Sequence, residues 1–180
     1  MATTHSILGI DASTKPAFVL LEFNPLKNEI PLVVHKQQEI FKERGLSLGS
    51  KIAELALDVI SNHSVDNVVI EGYAQRGNYI IQSVEHGTIL RYFLTQEYGL
   101  DFWYSIPPKS VKMYLTGNGN AQKQNMLKEV YKRFHFDTDS DDIADAYAVS
   151  LVGLGMEGHT FNLPKSHTRA LAKLSKEFKH

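Results

Sequence analysis

Residues 6–23 read SILGIDASTKPAFVLLEF, and the architecture follows from them outward. Ser6 to Ala12 and Ala17 to Phe23 are short apolar runs of the kind that form strands, and Pro31 to Phe41 is a longer, more polar third. Asn24-Pro25-Leu26-Lys27-Asn28 reads as a turn, so the chain opens as an antiparallel meander. The third run, rich in Lys, Gln and Glu between His35 and Glu43, suits a sheet edge. Ile52, Leu55, Ala56, Val59 and Ile60 then recur at helical spacing within Ser47 to Ile60. Val68-Val69-Ile70 is β-branched throughout and predicts a buried strand. A helix over about 79–98, a strand from Asp101 to Ile106 stopping at Pro107-Pro108, and helices at Ala121 to Phe134, Asp141 to Leu154 and Thr168 to Phe178 complete the order β-β-β-α-β-α-β-α-α-α. A meander continued through helical crossovers implies an α/β chain with a five-stranded mixed sheet and helices on both faces.

The 180 residues, 43% hydrophobic and 22% charged, suit one domain with a substantial core and exclude a disordered or fibrous chain. The absence of cysteine removes disulfides, thiolate zinc sites and thiol nucleophiles. The nearly apolar run from Ala146 to Met156 is shorter than the roughly 18 residues that span a bilayer, and Met-Ala-Thr-Thr-His is no signal peptide. A protein of the cytoplasm, of a bacterial cell or a phage-infected host, with no membrane role, is expected.

The formal net charge of −1 gives no overall attraction to nucleic acid, but the charge is segregated. Residues 109–133 carry Lys109, Lys112, Lys123, Lys128, Lys132 and Arg133 against Glu129 alone, residues 137–145 carry five aspartates and no base, and the tail beyond Phe161 is basic again. A basic segment beside an acidic one suggests a phosphate-holding surface next to a cation-holding one; solvated faces are the competing reading.

Asp11 ends the apolar run Ile7 to Ile10, and Glu71 ends Val68 to Ile70 in the same way. A carboxylate at the tip of a buried strand loses hydration unless a cation or hydrogen-bond donors compensate it, although either acid could instead cap a turn. Ser140 is a natural N-cap, which accounts for Asp141 in the first helical turn. Asp142 and Asp145 share a helix face that continues through Val149 and Val152 and should meet the sheet. Oxygen-only ligands favour Mg²⁺ or Mn²⁺ over Zn²⁺, and four acids could hold two ions, the arrangement that clamps both oxygens in phosphodiester hydrolysis.

Together Ile7-Leu8-Gly9-Ile10-Asp11, Val69-Ile70-Glu71 and Asp142-Ile143-Ala144-Asp145-Ala146 resemble the three acidic motifs of the RuvC-type Holliday junction resolvases, in order and at similar intervals. Pro108-Lys109-Ser110-Val111-Lys112 and Thr116 to Lys123 are similar to that family's basic stretch. The resemblance spans roughly residues 6–152, with a phage-type member as the narrower reading, and implies an RNase H-like fold. It further implies a homodimer that cuts opposing strands of a four-way DNA junction, leaving 5′-phosphates, with two Mg²⁺ ions per site for which Mn²⁺ can substitute. Carried over, Asp11, Glu71, Asp142 and Asp145 are metal ligands and, with Lys123, catalytic. Lys109, Lys112, Lys123, Tyr73, Arg76 and Asn78 are expected to contact DNA. The family commonly has a Phe three residues after the strand-end Glu; that position is Ala74 here, so Tyr73 or Tyr79 is the candidate for stacking on bases, against packing of Tyr73 on the helix below. Gly117 to Asn120 suits either phosphate binding ahead of a helix or an ordinary loop. The nuclease domain is expected over 1–158, with 159–180 a basic helical tail of the same domain, whose cations either contact DNA arms or flank a covering helix.

Gly45-Leu46-Ser47-Leu48-Gly49 matches a serine-hydrolase signature, but that nucleophile belongs on a central strand. The G-x-G-x-x-G of Gly153 to Gly158 follows a helix instead of a strand, no histidines form H-E-x-x-H, and the chain is too short for a two-domain actin-like phosphotransferase, which shares the Gly-Ile-Asp motif. A nuclease of broader branched-DNA specificity and a non-cleaving branched-DNA-binding module remain as the nearer alternatives.

Overall fold

The computed structural model describes residues 4–27, 29–73, 80–159, 161 and 163–177. Five strands, β1 (His5–Asp11), β2 (Ala17–Phe23), β3 (Leu32–Gln38), β4 (Asn67–Glu71) and β5 (Trp103–Ile106), form one sheet in the order β3-β2-β1-β4-β5. β1 pairs antiparallel with β2 and parallel with β4, β2 pairs antiparallel with β3, and β4 pairs parallel with β5. This is the mixed sheet expected of the RNase H-like fold, with the meander on one side and two crossovers on the other, and the polar third strand is indeed its edge.

Helices α1 (Gly45–Asn62) and α2 (Ile80–Tyr98) cover one face; α3 (Pro108–Thr116), α4 (Lys123–Phe134), α5 (Asp141–Met156) and α6 (Lys165–Glu177) lie on the other. The alternation of β1 assigns its side chains: Leu8 and Ile10 join the core under α1 and α2, while Ile7 joins the core under α5. β4 divides in the same phase, with Val68 and Ile70 on the α1 side and Val69 on the α5 side.

Beyond its acidic first turns α5 is buried along most of its length, as its nearly apolar run from Ala146 requires, and it lies close against β1. Gly9 permits that approach: a Cβ there would collide with Ser150 Oγ and Ala146 O and stand 2.7 Å from Ser150 N. The buried Ser150 hydroxyl donates to Val19 O at 2.8 Å and lies 3.0 Å from Ala146 O, so the polar atom within this seam is satisfied.

Three sequence expectations need correction. Pro107-Pro108 ends β5 as predicted, but Pro108 also opens α3, which the sequence reading passed over: proline at the first helical position loses no intrahelical hydrogen bond and has its φ already set. Gly117 closes α3 in a left-handed conformation (φ 76°), its N–H donating to Met113 O at 2.9 Å, and α4 begins only at Lys123. Gly117 to Asn120 is therefore a helix-to-helix turn and does not present a helix N-terminus to an anion. The strand expected from Asp101 starts at Trp103, after a short 3₁₀ turn at Leu100–Phe102.

Candidate active site

The sheet register brings the two strand-end acids together. Ile10 is level with Ile70, so the next step sets Asp11 beside Glu71, and both side chains continue the α5-facing alternation of Gly9 and Val69. Above them the first turns of α5 carry Asp142 and Asp145. Ser140 caps that helix, its Oγ accepting from Ile143 N at 3.2 Å and donating to Gln38 Oε1 at 2.7 Å. The same Gln38, at the end of β3, donates through Nε2 to Asp142 Oδ2 at 2.7 Å and so fixes that carboxylate.

Lys123, the first residue of α4, reaches into the acidic group: its Nζ lies 3.5 Å from Asp142 Oδ1 and 3.4 Å from Asp145 Oδ2. The electrostatics match this crowding. Burial, reinforced by the charges of Asp145 and Asp142, raises Asp11 to a pKa of about 7 despite the offset from Lys123. Burial, then Asp11 and Asp145, push Glu71 well above the usual carboxylate range, with Lys112 and Lys123 opposing. Asp145 is raised by burial against the pull of Lys123. Lys123 itself loses hydration, which alone would lower it, yet Asp145, Asp142 and Asp11 together raise it.

Such a pocket carries more buried negative charge than one lysine offsets. Its donors are carboxylate oxygens alone, which suits a hard divalent cation. Among the described residues, the set of His, Asp and Glu ligand atoms lying mutually within 4.8 Å is His5, Glu157 and His159, at the opposite end of β1. The four acids stand further apart than that.

A cleft of about 150 Å³ opens beside Asp11 and Glu71, with Tyr73 and Arg91 in its wall. Tyr73 packs on α2: Arg91 donates from Nη1 to its hydroxyl at 2.9 Å and stacks over its ring at 4.5 Å, while Nη2 donates to Ser105 Oγ at 2.8 Å. From Tyr73 a larger groove of about 1230 Å³ runs between α3 and α6, lined by Lys109, Lys112, Arg169 and Lys173 and, among the described residues, by no acidic side chain.

Thus Asp11, Glu71, Asp142, Asp145 and Lys123 converge, Lys112 lies near enough to favour the charged forms of Glu71 and Asp145, and Lys109 and Lys112 face the groove. Arg76 and Asn78, like Ala74 and Tyr79, lie outside the described residues. Ser47 stands exposed in the first turn of α1, away from any central strand, so the hydrolase signature has no structural counterpart. Gln38 and Arg91 were not anticipated. A glutamine on a polar edge strand reads as solvated, and a single arginine in a helix carries no periodic signal.

No family model matches the chain. It is 33% identical over 115 residues to the crossover junction endodeoxyribonuclease RuvC of Synechococcus sp. CC9311, covering 61% of this chain and 71% of that protein. It is 29% identical over 153 residues to RuvC of Aliarcobacter butzleri, covering 81% and 95%. Among solved structures, Thermus thermophilus RuvC superposes with a TM-score of 0.67 at 18% identity, covering 81% of this chain and 91% of that one. The same protein in complex with a Holliday junction gives 0.66. The Fowlpox virus resolvase gives 0.54 at 12% identity, and at these identities the structures speak for the fold alone. The Synechococcus match, spread over most of a relative's length, joins the order of the acidic motifs and the sheet that aligns them, and the chain belongs to the RuvC family of crossover junction endodeoxyribonucleases.

Proposed function

We propose that the protein resolves four-way DNA junctions by hydrolysing phosphodiester bonds in opposing strands. The observation that supports this most strongly is the convergence of Asp11, Glu71, Asp142 and Asp145 on one face of the sheet, beside a groove lined by lysine and arginine that meets their cleft at Tyr73 and Pro108. The four carboxylates are the ligands for two divalent ions, Mg²⁺ by preference with Mn²⁺ able to replace it. When bound, the ions supply Lewis acidity to the scissile phosphate and lower the pKa of a water.

The chain's own residues do the rest. Gln38 and Ser140 hold the α5 end of the pocket in place. Lys123, paired with Asp142 and Asp145, is freed to contact the phosphate when divalent charge replaces its own. Lys109 and Lys112 grip the flanking backbone as point charges. In the hydrolysis a water oxygen bonds to phosphorus, the bond to the 3′ oxygen breaks, and that oxygen takes up a proton, leaving a 5′-phosphate and a 3′-hydroxyl.

Two opposing cuts require two such sites, and α2 offers the seam of a homodimer. It is apolar on more than its buried side: Ile81 is 75% exposed and Tyr92 58%, with Val84 and Phe93 also exposed. That the tail beyond residue 158 belongs to the same domain is supported by Ala170, Leu171 and Leu174 of α6, which are buried in the core shared with α3 and α5.

Asp142→Asn and Asp145→Asn test this reading. Each should abolish cutting of a labelled junction while mobility-shift affinity persists, and the wild-type products should be sealed by DNA ligase without end repair. Normal cutting by either variant removes that carboxylate from the reaction, and products that ligase cannot seal contradict a 5′-phosphate end.

A further inference from the structure

At the end of β1 opposite the acids, residues that the nuclease reaction does not use come together. His5 opens β1, and its Nδ1 lies 3.1 Å from Glu157 Oε2 across 152 residues of sequence. Glu157 caps the C-terminus of α5, and Gly158, at φ 104°, turns the chain so that His159 folds back over the sheet. His159 rests on the Phe23 ring at 4.3 Å between centroids and meets the His5 ring edge-on at 5.8 Å. One ligand atom from each of His5, Glu157 and His159 falls within 4.8 Å of the other two.

We propose that His5, Glu157 and His159 form a second metal site, for a first-row transition-metal dication with Zn²⁺ as the best fit, separate from the acidic pocket. Three observations carry it. Two imidazoles with one carboxylate are borderline-soft donors that select Zn²⁺ over Mg²⁺, the reverse of the all-carboxylate site. His159 Nε2 is buried with no hydrogen-bond partner, a vacant lone pair or an unmet donor that coordination accounts for. Glu157 already has an outer partner, Asn67 Nδ2, which donates to its Oε1 at 3.3 Å and leaves Oε2 facing His5.

The His5–Glu157 separation already matches the roughly 3.3 Å between neighbouring ligands in a tetrahedral zinc site, and rotation of side chains supplies the remainder. His5 is 41% exposed and Glu157 21%, so a fourth, solvent-facing position stays open to water. β1 places this site about 20 Å from Asp11, at roughly 3.3 Å per residue, too far to share a substrate phosphate. Its role is mechanical. A bound ion clips the start of the central strand to the end of the helix that carries Asp142 and Asp145, stabilising the folded state by mass action.

The test uses the full chain, stripped with a chelator, carrying Asp11→Asn and Asp145→Asn so that the acidic pocket no longer competes for metal. Zn²⁺ should bind at one equivalent and raise Tm by about 5 °C or more at a hundredfold excess over Kd. Co²⁺ in its place should give the visible absorption of a four-coordinate nitrogen and oxygen site. His5→Ala added to this background should remove both signals with little change in metal-free Tm, and His159→Gln should do the same. In the otherwise wild-type chain, His5→Ala should leave Mg²⁺-dependent junction cutting unchanged. Absence of a Zn²⁺-induced shift in the parent, or its survival in His5→Ala, overturns the proposal.

Discussion

Asp11 shows what it costs to assemble acids at the tip of a buried strand. Burial and the charges of Asp145 and Asp142 raise its pKa from 3.8 to about 7. Across that window the folded protein keeps a proton that the unfolded chain has lost, so its contribution to stability falls as pH rises and the loss is complete above about 7. Glu71, raised by burial and by Asp11, adds a contribution of the same sign. Divalent ions favour the charged carboxylates and reverse the effect. Thermal melts of the metal-free protein should therefore show a lower Tm at pH 8 than at pH 5, with Mg²⁺ restoring more at pH 8. Asp11→Asn should flatten the metal-free difference, and a variant with the wild-type pH dependence would show that Asp11 is not the titrating group. The acids were legible in the sequence because carboxylates at the ends of apolar strands and on an apolar helix face demand compensation. Gln38 was not legible, since the residue it orients, Asp142, lies 104 positions away and only the sheet reveals the pairing. Tyr73 packs on α2 through Arg91, which holds its ring and hydroxyl, while also lining both clefts.

At the scale of elements, the site depends on how closely α5 approaches β1. Gly9 sets that distance, since any side chain there meets Ser150 and the Ala146 carbonyl. Gly9→Ala should destabilise the protein by about 1–3 kcal/mol, through overpacking of a seam that cannot yield without moving the helix. Because the displaced helix carries Asp142 and Asp145, cutting should fall further than the loss of folded protein explains. Denaturant unfolding alongside junction cutting at a temperature where the variant remains folded would separate the two effects. A variant as stable and active as the wild type would mean that the seam is looser than its contacts imply. Strand and helix periodicity was readable along most of the chain because the core has two sides and β1 feeds both in alternation. α3 escaped because a Pro-Pro pair signals a stop and a start equally well, and local sequence does not decide between them. The glycines after it allow an anion-binding loop only if α4 starts at Ala121; with Lys123 as its first residue the other reading holds, and they form the turn between two helices.

For the whole molecule, the segregated charge of the sequence becomes a division of labour on the surface: an acidic pocket beside a basic groove that α3 and α6 build together. Only the first wall of that groove could be read from the sequence, because α6 joins α3 by tertiary packing through Leu171 and Leu174. We propose Arg169 and Lys173, which line the same groove, as further DNA contacts. Arg169→Ala with Lys173→Ala should lower the slope of log affinity against log salt by about two, and Lys112→Ala by about one, each phosphate contact contributing roughly 0.9. An unchanged slope in either variant would move those side chains out of the DNA path. Whether the converging carboxylates hold divalent ions for selective cutting of branched DNA is decided by one incubation series. A labelled four-way junction, a flap and a linear duplex are each treated with the wild-type protein, with and without Mg²⁺. Paired cuts in opposing strands of the junction are expected with Mg²⁺, none without it, and an intact linear duplex; equal cutting of all three substrates, or junction cutting that persists in a chelator, would rule out this role for the carboxylates.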